Sequence, residues 1–291
     1  MDLRAIFMGL AFALMWSSAF TSARIIVSEA PPLYSLSLRF LISGLLGVII
    51  ARALGQSWQL TRNQWRAVII FGFCQNALYL GLNFVAMQWV EAGLASIIAS
   101  TMPLMVAFAG WSLLGDRLRP MAVAGLFAGV VGVTLIMGSR LSGGVDITGV
   151  ILCFVAAAAL TAATLSVRTA SSGGNLMMIV GLQMFVGSGA LFVAALFLES
   201  PAFTPSLRLG MAFTYTVLVP GLLATWIWFA LVGRIGAVKA ATFHFLNPFF
   251  GVAIAWLLLG EALSMVDFIG VAIITVGILA VQLSKQNPTA T

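Results

Sequence analysis

Few side chains in this 291-residue sequence have the type and spacing for chemistry, and they are polar groups set singly into apolar stretches. His244 is the single histidine, three residues ahead of an Asn247-Pro248 pair. An imidazole there can bind a carboxylate or exchange a proton near neutral pH, or it can sit neutral in a hydrogen bond between helices. Gln75 or Asn76, Tyr79 and Asn83 recur at spacings of three or four and so share one helical face. That pattern suits a wet pathway or an interhelical hydrogen-bond seam. Ser96, Ser100 and Pro103 form a second such face, whose small groups also let helices pack closely. Aromatic side chains accompany them: Trp16 and Phe20 beside Ser17, Ser18 and Thr21, then Trp226, Trp228, Phe243 and Phe245. Their ring faces attract ammonium groups and stack on flat side chains. Trp58, Trp65 and Trp89 instead fall near stretch ends, where interfacial tryptophans belong.

The acids are placed differently. Asp2, Glu29, Glu91, Asp116, Asp146, Glu199, Glu261 and Asp267 all map to ends or loops. No carboxylate pair is thus offered for general acid–base work or for a mid-membrane ion-coupling site. No nucleophile elbow, zinc-protease helix or phosphate loop occurs, so the chain is not expected to be an enzyme. Cys74 and Cys153 lie within apolar runs, where a buried thiol is the ordinary reading, and no metal or cofactor is implied.

The elements that position these groups follow from composition. With 62% hydrophobic and 8% charged residues, the chain has too little polar material to cover a water-facing surface. A bilayer core of about 30 Å needs about 20 apolar residues at helical rise. Ten stretches of that length result, at roughly 5–27, 33–51, 66–88, 92–114, 120–138, 147–168, 176–198, 209–232, 237–259 and 265–283. The first is expected to be a span, not a removable signal peptide. The fold class is therefore an all-α integral membrane protein with ten transmembrane helices, since barrel strands would be half as long and alternate in polarity. With the amino terminus inside, Arg4, Arg52, Arg62, Arg66, Arg117, Arg119, Arg168, Arg234, Lys239 and Lys285 fall on the cytoplasmic side. Arg24, Arg39, Arg140 and Arg208 fall on the other, and the positive-inside bias places both termini in the cytoplasm. Contact with anionic membrane lipid accounts for the net charge of +6, and scattered basic residues give no footprint for nucleic acid.

Shifted by 145 residues, the chain aligns 92–135 with 237–280 without a gap. Pro103 falls on Pro248, Trp111 on Trp256, Leu113-Leu114-Gly115 on Leu258-Leu259-Gly260, Gly125 on Gly270 and Gly132 on Gly277, with Asp116 opposite Glu261. Two five-span repeats follow, residues 1–141 and 142–291, and an odd span number inverts the second relative to the first. Inverted repeats are a physical route to alternating access, with Pro103 and Pro248 as paired hinges.

Trp16-Ser17-Ser18-Ala19-Phe20, Pro103 with Gly115-Asp116, and Asn247-Pro248 with Leu258-Leu259-Gly260-Glu261 resemble EamA-type members of the drug/metabolite transporter superfamily. The aromatic interior is similar to that of the aromatic amino acid exporters. The resemblance implies a carrier in a bacterial-type cytoplasmic (inner) membrane and carries Trp16 and Phe20 into a central cavity. Family members move amino acids, nucleotides or sugars and drugs, so the fold does not choose the substrate. Neutral polar groups, aromatic walls and few fixed charges suit a zwitterion, and the expected cargo is amino acids, exported. Purines, nucleosides or hydrophobic drugs are the alternative. The expected pocket is Trp16, Phe20, Tyr79, Asn83, Ser100, Thr161, Trp228, His244 and Asn247. The Gly125, Gly129 and Gly132 face allows close contact within a monomer or between two, with a monomer favoured.

Overall fold

The computed structural model describes residues 3–166, 174–235, 240 and 242–284, and every regular element among them is helical. Among these residues nine helices are long and apolar enough to cross a bilayer: α1 (Leu3–Val27), α2 (Pro32–Ala53), α3 (Arg62–Ala86), α4 (Ala92–Leu114), α5 (Pro120–Ser142), α6 (Ile147–Leu165), α7 (Leu176–Leu198), α8 (Leu207–Ile235) and α10 (Met265–Ser284). The remaining apolar helix, α9 (Phe243–Leu259), is shorter. Arg168, Lys239 and Lys285, used in the charge count, lie outside the described residues.

Local chemistry sets the ends. Pro32 and Pro120 open α2 and α5, where a missing N–H costs nothing. Gly115 and Gly260 close α4 and α9 at φ of 72° and 68°, a left-handed conformation open to glycine. Helix α3 starts at Arg62 and not near 66, because Thr61 and Gln64 form a reciprocal capping box. Helix α5 runs past 138 to Ser142, which carries Arg140 into its last turn.

The 145-residue repeat is visible in the backbone. Helices α3 and α8 each contain a π-helical stretch, Gly72–Leu80 and Val217–Leu223, whose first residues are one repeat apart. Helix α4 breaks at Thr101 (φ −75°, ψ −11°), and the repeat mate Leu246 stands at the matching break in α9 (φ −83°, ψ −14°). Each break has a proline two residues on, Pro103 and Pro248.

The chain folds into two packing units, and each draws on both halves of the sequence. The first comprises Met1–Thr21, Trp89–Ile151 and Leu223–Thr291. In it α5 packs on α10 and α4 on α9, so that repeat-related helices are partners. A Cβ built on Gly125 would lie 2.6 Å from the Gly277 carbonyl oxygen, and one on Gly132 would lie 2.9 Å from that of Gly270. Because Gly125 matches Gly270 and Gly132 matches Gly277, this reciprocal pairing is what a two-fold relation between the helices produces. The unit also shows the inversion. Glu261, just past α9, accepts the backbone N–H groups of Ala92 (2.7 Å) and Gly93 (2.8 Å) at the start of α4. Its repeat mate Asp116 follows the other end of α4, 23 residues and about 34 Å away. The loops containing Asp116 and Glu261 thus sit at opposite ends. Arg140 ties the same end together by pairing with Glu91 (2.7 Å) and with the buried Asp267 (3.0 Å).

The second unit comprises Ser22–Gln88 and Leu152–Leu222, with α2 and α3 packed on α7. Gly44 and Gly47 approach Gly181, and Ser37 and Ser188 exchange hydrogen bonds with each other's carbonyls at 2.9 and 2.8 Å. Glu199 accepts the N–H groups of Leu33 and Tyr34, placing a negative charge at the positive end of α2. The charge count puts Arg39 on the non-cytoplasmic side, but it lies seven residues past Pro32, about 10 Å along α2, and is 6% exposed.

Candidate functional site

In the first unit, α1 presents Phe12 and Trp16 one turn apart, and these meet Trp228 of α8 and His244. Phe12 is the hub. Its ring centroid lies 5.7 Å from Trp16, 4.8 Å from Trp228 and 5.2 Å from His244. Trp228 meets His244 edge to face at 5.1 Å, and Trp16 stands 6.5 Å from it. Three aromatic side chains therefore surround one imidazole. Trp16, Trp228 and His244 stay partly accessible while Phe12 is buried.

His244 lies in the short 3₁₀ turn Thr242–Leu246, immediately before the α-helical part of α9. Pro248 has no N–H to return to the His244 carbonyl, so regular helix cannot pass through this point. The tighter 3₁₀ winding holds His244 in the cluster, and Asn247 follows within one turn of chain. Two of their atoms, His244 Nδ1 and Asn247 Oδ1, are buried without a hydrogen-bond partner. Buried polar atoms are nearly always paired, and two orphans on one turn leave two unused hydrogen-bonding positions there. The Asn247 carbonyl is engaged, accepting from Ser17 (3.3 Å) and Ser96 (3.5 Å). Those bonds tie α1 and α4 to the break in α9.

The other expected pocket residues divide. Phe20 is buried on α1 at 8% exposure. Ser100 donates to the Ser96 carbonyl of its own helix at 2.6 Å, and Thr161 does the same to Ala157 at 2.9 Å. Tyr79, Asn83 and Thr161 belong to the second unit. There Asn83 donates to the Tyr79 carbonyl at 2.7 Å and keeps a buried Oδ1 without a partner. Asn76 reaches the Gln183 carbonyl of α7 at 3.0 Å, which makes it an interhelical tie. Within the aromatic set, Phe243 packs into a core with Ala5, Leu231 and Ala240, whereas Trp226 is 59% exposed on an apolar helix. Phe12 is the member that sequence reading passed over. Its signal was its place one turn before Trp16, on the same face.

A profile of the EamA-like transporter family matches residues 3–138 and again residues 147–283. The chain is 27% identical over 280 residues to the Bacillus subtilis (strain 168) protein named "Uncharacterized transporter YvbV", covering 95% of this chain and 91% of the relative. It is 27% identical over 284 residues to the Escherichia coli (strain K12) "Uncharacterized inner membrane transporter YedA", with 95% and 90% covered. The Escherichia coli (strain K12) protein named "Probable amino-acid metabolite efflux pump" is 24% identical over 282 residues, with 93% and 92% covered. One solved crystal structure, at 19% identity, superposes with a TM-score of 0.69 over 96% of this chain and 98% of the other, which shows a shared fold.

Proposed function

Since this chain belongs to the EamA-like transporter family and is a multi-pass membrane transporter, we propose that it exports small zwitterionic metabolites, amino acids with aromatic ones among them, by alternating access. The observation that carries the reading is the aromatic enclosure of His244, whose own Nδ1 is orphaned together with Oδ1 of Asn247 three residues on. Aromatic faces attract an ammonium group and stack on an aromatic side chain, and the orphaned atoms give a polar end somewhere to bind. The relative named as a probable amino-acid metabolite efflux pump supports the same direction and class. Seven of the eight carboxylates lie at helix ends or in loops, and Asp2 lies outside the described residues. Ion antiport relies on acids within the span, so movement runs down the cargo's own gradient. Both termini are cytoplasmic, on the arginine and lysine bias.

A stacked planar base fits the same enclosure, which makes a purine or nucleoside the second reading. Counterflow into liposomes holding the purified protein separates them, using labelled phenylalanine, threonine and a nucleoside. Phenylalanine exchange that is lost in Trp228→Ala supports the amino acid reading; nucleoside exchange without amino acid exchange overturns it.

A further inference from the structure

Arg39 is a buried cation within a described span. It projects from α2 in the second unit, one turn before Ser43, and both side chains meet the π-helical stretch of α8. A Cβ built on Gly221 would lie 3.4 Å from Ser43 Oγ and 4.0 Å from Arg39 Nη2. The same Cβ would lie 3.1 Å from the Thr216 carbonyl oxygen, so the absence of a side chain at Gly221 is what lets its backbone approach Ser43 and Arg39. Pro220 precedes Gly221 within the π-helical stretch.

The polar groups here are unusually short of partners. Arg39 is 6% exposed and Ser43 is 1% exposed. Arg39 Nε and Ser43 Oγ are both buried without a hydrogen-bond partner. The Phe40 ring, 5.2 Å from the guanidinium carbon, is the other group facing the charge. Among the described residues the salt bridges are those of Arg140, so Arg39 has no carboxylate. A guanidinium cannot shed its proton to escape burial, and a charge taken out of water needs a counter-charge. Ligand chemistry follows from the donor geometry: a planar fork matches a planar carboxylate with two parallel hydrogen bonds, and a neighbouring hydroxyl takes a third. A single cation balances a single negative charge, which favours a carboxylate over a doubly charged phosphate ester.

We propose that Arg39, with Ser43 where both meet Gly221, is a binding site for one carboxylate group of the transported molecule. This rests on the carrier reading above and adds to it a group in the second unit that takes a carboxylate.

The test is binding to the purified full-length chain in lipid nanodiscs, with phenylalanine, 3-phenylpropionate and 2-phenylethylamine as probes. The variants are Arg39→Met, Arg39→Lys and Gly221→Ala, each first checked for a monodisperse elution profile. Arg39→Met is expected to weaken both carboxylates by about 10–100-fold, the range of charge-assisted hydrogen bonds, while leaving the amine within about 2-fold. Gly221→Ala keeps every charge and sets a methyl group against Ser43 Oγ and Arg39, so it should weaken the same two probes, and it decides the matter if Arg39→Met does not fold. Equal loss of all three probes would assign Arg39 a structural role and overturn the proposal. So would unchanged carboxylate binding in folded variants, failure of both carboxylates to bind the wild type, or equally strong competition by chloride or inorganic phosphate. Binding of 3-phenylpropionate but not phenylalanine, lost in Arg39→Met, contradicts the zwitterion reading and leaves the Arg39 assignment standing. Phenylalanine binding that ignores the Arg39 and Gly221 variants does the reverse.

Discussion

The α5–α10 crossing offers a sharp test of the repeat-related packing. Alanine at Gly277 puts a Cβ 2.6 Å from the Gly125 carbonyl oxygen and 2.9 Å from the Gly129 nitrogen, both backbone atoms. Neither can swing aside as a side chain would, so the helices must separate along the seam. Overpacking of this kind costs about 1–3 kcal/mol, and loss of the close contact is felt fully in lipid, where no hydrophobic force drives helices together. At roughly 2–4 °C per kcal/mol, the melting temperature should fall by roughly 2–12 °C. Gly138 on the same α5 has no heavy atom within 4 Å of its built Cβ. Alanine there should be neutral or raise stability by about 0.5–1 kcal/mol, because glycine is the weaker helix former. The assay is thermal unfolding in detergent followed by size-exclusion chromatography, on Gly277→Ala, its repeat counterpart Gly132→Ala, and Gly138→Ala. Equal melting temperatures for Gly277→Ala and Gly138→Ala would refute the seam as described.

Three further outcomes are expected. Arg140→Met should destabilise more than Glu91→Gln in the same thermal assay, since the first strands Asp267 at 1% exposure whereas Glu91 has a side chain 39% exposed and can be solvated. Phe12→Ala should weaken phenylalanine binding more than threonine binding, by about 2–10-fold, the worth of one aromatic contact beyond its area; equal losses would count against the enclosure. Pro248→Ala should lower the transport rate at saturating substrate more than it changes binding affinity, because it lets helix grow through the 3₁₀ turn at the α9 break; unchanged turnover would remove the hinge.

Span number and order were legible because proline, glycine and charge punctuate apolar runs of bilayer length. The repeat was legible because proline, tryptophan and glycine at one fixed offset are hard to match by chance in apolar sequence. The start of α3 was written in Thr61 and Gln64, a capping box that the hydrophobic count ignored. Arg39 was misplaced for a comparable reason: a lone arginine among apolar residues counts as a topology signal, although its position seven residues inside α2 already puts it within the span. Site residues were less legible. A helical serine or threonine always has its own carbonyl one turn back to bond, as Ser100 and Thr161 do, so residue type alone does not say which way the hydroxyl turns. The convergence of Phe12, Trp16, Trp228 and His244 joins three distant segments and needs coordinates.

The most direct measurement is side-specific cysteine labelling of the chain in vesicles of known orientation, after Cys74 and Cys153 have been replaced by alanine. Single cysteines at Arg117 and Ala262 report the two loops related by the repeat. Labelling by an impermeant maleimide from opposite sides of the membrane is the predicted result. Labelling of both from the same side would contradict inverted repeats and, with them, the alternating-access account of transport.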